Sequence, residues 1–342
     1  MKSKLIAYSN LNNQHKLIDI IPLSTPLSLM IDPINACNFR CIFCPTGHPE
    51  LISHFKRPIG KMKYILFCKI IDDLNFFPKK IEKINLYKDG EPLLNPKIGK
   101  MIYYAKKRNV AHSIETTTNG SLLTLEKSKE LIQSGLDRIR ISINHVNDDG
   151  YKHITKTFSD YSRLLKNVEN FYTEKIKQNS ELHVHVKLID TGLSDNEKKK
   201  FLIDFKELSD SIHIDELMGW SISSIYDFTL NRKPKYSMNR CVTLNKKIIV
   251  CPQPFYTLSI NFNGKISVCC VDWTMKTIIG DSNHERLDCV WNGYKINSFR
   301  LMQINGERNK NIACQDCQYI FGSSKNSLID NFTSVLKERF NN

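Results

Sequence analysis

Cys37, Cys41 and Cys44 stand in the run Asn35-Ala36-Cys37-Asn38-Phe39-Arg40-Cys41-Ile42-Phe43-Cys44-Pro45, a C-x3-C-x2-C spacing with an aromatic residue directly before the third thiol. Thiolates this close together can hold three irons of a [4Fe–4S] cube. Such clusters usually take four cysteine ligands, so a missing fourth leaves one iron open to bind something else. Zinc is the competing use of clustered intracellular thiols, but structural zinc sites close with four ligands. No cysteine lies between Pro45 and Pro58 to supply one.

A second set of thiols follows later. Cys251, Gly264, Cys269-Cys270, Cys314 and Cys317 are spaced C-x12-G-x4-C-x44-C-x2-C. Asn263-Gly264 between Leu258 to Phe262 and Lys265 to Val268 is a hairpin signal. Such a hairpin displays cysteines at its two ends, and the C-x2-C pair, read as lying on a short helix, completes a four-thiolate cage. Zinc or an iron–sulfur cluster would fit it. Counting from Gly264 selects Cys269 as the ligand over its neighbour Cys270. Cys68 reads as a small buried hydrophobe on a helix, and Cys241 and Cys289 take no role.

These thiols need a scaffold, and residues 27 to 217 alternate strand-like and helix-like segments. The strands are read at 27–32, 81–87, 113–117, 138–144, 182–189 and 212–217. The helices between them are read at 60–77, 96–108, 125–134, 161–177 and 195–208, from apolar residues at helical spacing such as Met62, Ile65, Leu66, Ile70 and Leu74. Gly135 marks the end of the third helix as a cap. Repeats of this kind make right-handed crossovers onto a parallel sheet. Six units fall short of the eight in a closed barrel, so the expected fold class is α/β: a curved, open, partial (β/α)6 TIM-like barrel with a small C-terminal cysteine domain. Active sites of parallel α/β folds lie at the C-terminal strand ends. The cysteine triplet follows the first strand there.

The triplet and three further strand ends together resemble the radical S-adenosylmethionine (SAM) enzymes, in which SAM chelates the open iron. Lys88-Asp89-Gly90-Glu91-Pro92 resembles the Gly-Gly-Glu-Pro loop that holds the SAM amino group, departing from it at Lys88-Asp89. Gly90 keeps the close backbone approach and Glu91 the acceptor for an ammonium. Thr118-Asn119-Gly120 and Ser142-Ile143-Asn144 match positions that contact the SAM carboxylate and ribose, which implicates Asn119, Ser142 and Asn144, and Phe43 would stack near the adenine. The second cysteine set resembles the SPASM/Twitch domains of these enzymes. That likeness implies one auxiliary [4Fe–4S] cluster on Cys251, Cys269, Cys314 and Cys317, because no cysteine follows Cys317.

The resemblance divides the chain into an N-terminal extension (1–26), a radical SAM partial barrel (27–217), a linker (218–240), a SPASM/Twitch domain (241–322) and a C-terminal helix (323–342). It implies reductive cleavage of SAM to a 5′-deoxyadenosyl radical, which takes a hydrogen atom from the substrate. An electron donor such as flavodoxin or ferredoxin is required. The auxiliary cluster could accept the leftover electron, giving dehydrogenation. Alternatively Cys270 could return a hydrogen atom, giving epimerisation. A small polar substrate is expected: a sugar, an aminocyclitol or a nucleotide-linked sugar. The alternative is a peptide- or protein-modifying maturase, disfavoured because only about 26 residues precede the first strand.

Bulk composition narrows the classes further. The 342 residues are 41% hydrophobic and 10% aromatic, an ordinary globular balance. No window reaches the ~20 apolar residues of a bilayer span, and no apolar signal-peptide core follows Met1, so a cytoplasmic chain without membrane partners is expected. Eleven cysteines there would be reduced. The net charge of +14 is dispersed rather than striped, which argues against nucleic acid and leaves room for a phosphorylated or nucleotide-linked substrate.

Overall fold

In Arg138-Ile139-Arg140-Ile141-Ser142-Ile143 every second residue is apolar, and a period of two puts the three isoleucines on one face of a strand. A computed structural model describes residues 4–5, 16–157 and 160–341. In it this run forms β5 (Arg138–Ile143), with all three isoleucines fully buried. The same alternation runs through β6 (His183–Asp190), where Val184, Val186 and Leu188 are fully buried, and less regularly through β3 (Ile81–Leu86) and β4 (Ala111–Thr118). Together with β2 (Ser28–Ile31) and β7 (Ser211–Glu216) they lie in the order β7-β6-β5-β4-β3-β2, every pair parallel. Strands of an all-parallel sheet usually read as continuous apolar runs. Here one face is apolar and packs on helices, while Lys83, Ser113, Glu115, Arg138, Arg140 and Lys187 line a hollow. The inside of this barrel is a partly open, charge-lined hollow rather than an apolar core.

Eleven helices are described. Short α1 (Leu17–Ile20) and α2 (Pro49–His54) flank β2, and α3 (Tyr64–Asp73) leads to β3. The outer layer continues with α4 (Ile98–Arg108), α5 (Leu125–Gln133), α6 (Asp148–Thr155), α7 (Tyr161–Lys177) and α8 (Asp195–Phe205). Four of them start on capping side chains: Thr124, Asn147, Asp160 and Ser194, the last in a reciprocal capping box with Glu197. Gly135 takes φ +80° just past α5, as its place there predicts. Helix α6 has no counterpart in the sequence reading. It is short, it opens on Asp148 and Asp149, and only Tyr151, Ile154 and Thr155 are buried.

The second cysteine set does not hang from the barrel as a separate lobe. Its hairpin, β8 (Thr257–Ile260) and β9 (Lys265–Ser267), turns at Asn263-Gly264 with Gly264 at φ +87°. Strand β8 pairs in parallel with β2, Ser28 opposite Thr257 through Ile31 opposite Ile260. With β10 (Ile278–Asp281) and the two-residue β1 (Lys4–Leu5) on β7, this makes one ten-stranded sheet. Helix α10 (Tyr294–Ile304) packs against β10, and α9 (Leu287–Trp291) against α10 and α3.

Two expectations are corrected. Cys314 and Cys317 lie on turns rather than a helix, because Asn311 bends the chain: its carbonyl accepts from both Cys314 N and Gln315 N, and its side chain from Ala313 N. The last helix, α11 (Thr333–Asn341), starts ten residues later than 323. Asp330 Oδ1 accepts from Ile249 N at 2.6 Å and Val250 N at 3.2 Å, pinning the preceding chain in an irregular path. Residues 1–3 and 6–15 of the expected extension, and Asn342, lie outside the described residues. Among the described residues no helix is long and apolar enough to cross a membrane.

Candidate active site

The C-terminal end of β2 runs into the cysteine loop, which is held by backbone contacts from several sides. Arg40 N and Ile42 N donate to Thr155 O (2.8 Å) and Ile154 O (2.9 Å) at the end of α6. A Cβ on Gly47 would fall 2.2 Å from Cys41 O, and one on Gly90 2.2 Å from Ile34 O and 2.4 Å from Ala36 O. Only glycine allows approach this close. Arg57, 4% exposed, donates from Nη2 to Asn35 O (2.8 Å) and from Nη1 to Thr46 Oγ1 (3.2 Å) and Trp273 O (3.5 Å). It fastens the loop to the second cysteine region, and nothing local in the sequence marks it.

The strand ends reach the thiols. Asn119 Nδ2 lies 4.0 Å from Cys37 Sγ, and Asn144 Nδ2 lies 3.6 Å from Cys41 Sγ. Glu91 is buried, and its Oε1 accepts from Leu93 N and Thr118 Oγ1, its Oε2 from Asn119 N. It therefore ties the ends of β3 and β4 together and keeps acceptor capacity on Oε2 for one more donor. Burial raises its carboxyl to about 7. Phe43 packs among Ile154, Leu217 and Leu230, and Ser142 lies half-buried at the end of β5.

Burial, joined by the nearby Glu91, pushes the Cys37 thiol up to about 12. Burial also raises Cys41, with Cys44 and Cys37 adding to the effect, and it raises Cys44. Thiols raised in this way stay protonated unless positive charge arrives, and iron supplies it. Among the described residues no three His, Cys, Asp or Glu side chains are arranged to hold a single metal ion.

In the second set, Cys251, Cys269, Cys314 and Cys317 line one hollow. Val271 N and Gln303 Nε2 each lie 3.5 Å from a sulfur, Cys269 Sγ and Cys314 Sγ respectively. Such contacts tune a cluster's potential. Burial raises Cys251 and Cys314, and raises Cys317 to about 12. Cys270 does not line this hollow. Its thiol is lowered by its contact with Cys269 and by Lys88, and it feels Asp89.

Lys88 and Asp89, the departure from the expected loop, join the two sets. Their side chains are 1% and 2% exposed and pair at 2.5 Å. Asp89 acts on Cys44 in the first set and on Cys270 beside the second. Beside the pair lies Asp32, fully buried, with neither carboxylate oxygen in a hydrogen bond of normal geometry. Burial, then repulsion from Asp89, raises it to about 7. Two side chains from 218–240 reach both cysteine regions: Trp220 Nε1 donates to Phe43 O at 3.2 Å and Ser221 Oγ to Val271 O at 2.5 Å.

The family model of the radical SAM superfamily matches residues 31–202, half of the chain. This chain belongs to the radical SAM superfamily. The model of an iron–sulfur cluster-binding domain, SPASM, matches residues 251–318, which enclose all four cysteines of the second hollow. Its cofactors are therefore SAM with its iron–sulfur cluster, and a further cluster in the SPASM region. Among curated relatives of this radical SAM chain, GTP 3',8-cyclase of Clostridium botulinum is 30% identical over 193 residues, 56% of each chain. A tungsten-containing aldehyde ferredoxin oxidoreductase cofactor-modifying protein of Pyrococcus furiosus is 36% identical over 116 residues, 34% of this chain and 30% of that protein. The chain spans about half the length of the curated relatives it matches, or less. Among solved structures, Streptococcus suis SuiB bound to S-adenosylmethionine has a TM-score of 0.61 at 16% identity over 94% of this chain and 76% of that one. BtrN in complex with AdoMet and 2-DOIA has 0.52 at 17% identity, over 85% and 92%. At such identities the likeness is one of fold.

Proposed function

We propose that this chain oxidises or epimerises a small polar molecule at an unactivated C–H. The observation that carries this reading is the buried Lys88–Asp89 pair, whose carboxylate acts on Cys44 of the first thiol set and on Cys270 beside the second. Cys37, Cys41 and Cys44 would hold the SAM cluster, and Cys251, Cys269, Cys314 and Cys317 a single auxiliary cluster. Once bound and reduced, the first cluster and SAM supply a carbon radical able to take a hydrogen atom. The protein's own part is to place and to exclude. Glu91, Asn119 and Asn144 fix the strand ends around the thiols, with Gly90, Ser142 and Phe43 shaping the SAM side. Trp220 and Ser221 tie 218–240 to both cysteine regions.

The working units on this reading are the barrel, 27–217, and the cluster domain, 241–322, fed by a flavodoxin or ferredoxin. A polar, charge-lined interior suits a small solute better than an extended peptide. The relatives named for a nucleotide cyclase and crystallised with 2-DOIA point to the same substrate size. SuiB, solved also with precursor peptide SuiA, keeps a peptide-modifying reading as the second choice.

Iron and sulfide counted after anaerobic reconstitution test the proposal. About eight irons are expected in the wild type and about four in a Cys37→Ala/Cys41→Ala/Cys44→Ala variant, with 5′-deoxyadenosine formed only by the wild type. Four in the wild type and none in the variant would leave the second cage to zinc and set dehydrogenation aside. Once a substrate is in hand, Cys270→Ser separates the two outcomes. A dehydrogenase keeps its turnover, whereas an epimerase that draws its returning hydrogen from that thiol loses it.

A further inference from the structure

A groove of about 540 Å³ lies where the segment after the first cysteine loop meets the tip of the second set's hairpin. Lys61, Lys63 and Lys69 line it together with the apolar Ile65, Leu66 and Phe262. Among the described residues no carboxylate does so. Lys69 is answered from outside the groove, its Nζ donating to Asp73 Oδ2 at 2.8 Å and to Glu285 O at 3.2 Å. Lys61 and Lys63 are exposed and, among the described residues, form no ion pair. Ile65 is 79% exposed on α3, and Ile59, on the segment leading to Lys61, is 62% exposed. Scattered apolar residues on a surface need no explanation. Apolar residues beside unpaired charges of one sign are the make-up of a protein contact.

The groove wall that carries Lys61 is bonded to the chain that enters the first thiols. Asn35 N donates to Gly60 O at 3.2 Å, Gly60 N to Asn35 Oδ1 at 2.9 Å, and Met62 N to Pro33 O at 2.8 Å. Ile34 stands opposite Lys61 in an antiparallel bridge. Strands paired in this way lie about 5 Å apart, and Cys37 is two residues beyond Asn35. From the hairpin side, the Phe262 ring comes so near Gly60 that a Cβ there would fall 2.4 Å from it. A partner seated in the groove is therefore one backbone layer away from the residues that lead into Cys37.

We infer that this groove is the docking surface of the electron donor, and that the donor is a small acidic flavoprotein of the flavodoxin type. The inference rests on the radical SAM reading, which requires the first cluster to be reduced from outside. One electron leaves the reduced flavin and enters that cluster; no bond forms or breaks in the transfer. The lysines select an acidic partner, and the chain's net charge of +14 draws one in from a distance. The apolar residues among them suit a carrier whose exposed redox group is itself a flat apolar edge, as a flavin's methyl-bearing ring is. A cluster enclosed in a polar loop would leave Ile65 and Phe262 without a counterpart. Contacts between electron-transfer partners are small and weak, and a groove of a few residues is enough for one.

The test is titration of a flavodoxin into the reconstituted, SAM-loaded full chain at low salt and at about 1 M salt, where screening is nearly complete. One-to-one binding at low salt that fades at high salt is expected. Lys61→Glu/Lys63→Glu and Ile65→Ser should each weaken the low-salt affinity about tenfold. All three side chains are exposed, and iron content equal to wild type certifies the fold. Lys107→Glu/Lys199→Glu changes the net charge equally on exposed positions of α4 and α8, and should leave binding unaltered. With limiting reduced flavodoxin the groove variants should form 5′-deoxyadenosine about tenfold more slowly, whereas with dithionite they should match wild type. Groove variants that bind as wild type does, a control pair that binds as weakly as they do, or a preference for an acidic ferredoxin would each overturn the inference. A wild type that binds flavodoxin in the expected pattern but forms no 5′-deoxyadenosine with either reductant would instead overturn the proposed chemistry and leave the docking surface standing.

Discussion

Gly90→Ala is expected to empty the first cluster site while the sheet stays folded. The added methyl would meet Ile34 O at 2.2 Å and Ala36 O at 2.4 Å, both backbone atoms with no side-chain freedom to yield. One of the two, Ala36 O, accepts the Glu91 amide at 3.0 Å, so the clash also breaks the bond that joins loop to loop. Relief requires moving residues 34–36, which lead straight into Cys37. Overpacking of this sort costs about 1–3 kcal/mol, small against the fold but large for a loop that must present three sulfurs at fixed spacing. Iron should fall from about eight to about four per chain, the second site being untouched. Formation of 5′-deoxyadenosine should drop at least about 100-fold, since misplacement of about 1 Å already costs that much. Far-ultraviolet circular dichroism should not change. Full iron with full SAM cleavage would show that the loop shifts freely and that this close approach does not place the thiols.

Asp32→Asn should stabilise the protein, and by more as the pH rises toward neutrality. The carboxyl keeps its proton to about pH 7 in the folded chain, against 3.8 ordinarily, because burial and then Asp89 oppose its ionisation. Between those values the folded chain binds a proton that the unfolded chain has released, so stability falls as pH rises through the window. The raised value corresponds to at most about 4 kcal/mol above the window, at about 1.4 kcal/mol per unit. Asparagine keeps the shape and never ionises. Thermal unfolding of variant and wild type should therefore differ most at about pH 8, less at about pH 5, and converge near pH 4. A difference independent of pH would mean that Asp32 is not the group whose ionisation is opposed.

Local pattern carried most of the barrel. Helix α7 spans Tyr161–Lys177 as its periodicity predicts, and each of the six parallel strands falls within a residue or two of its expected position. What escaped was short, polar or distant. Helix α6 buries too few residues to leave a helical stripe, yet its last carbonyls hold the cysteine loop. Arg57 holds Asn35 and also reaches Trp273, 216 residues further along, and no spacing rule spans such a gap. Lys88-Asp89 was visible only as a departure from a motif; that both side chains are buried between two cysteine sets required the fold. The charge-lined interior could have been read from Arg138-Ile139-Arg140 and His183-Val184-His185-Val186-Lys187, where the charged residues occupy the face opposite the apolar one.

The pairing of β8 with β2 has a bearing on how this chain can be divided. Cut before the hairpin, the barrel would expose β2 along its whole length, with Leu29 and Ile31 fully apolar and every outward N–H and C=O seeking a partner. A bare edge of that kind recruits other chains. The iron-binding hairpin is thus also the barrel's guard against aggregation, and the two cannot be inherited or engineered apart without replacing that protection.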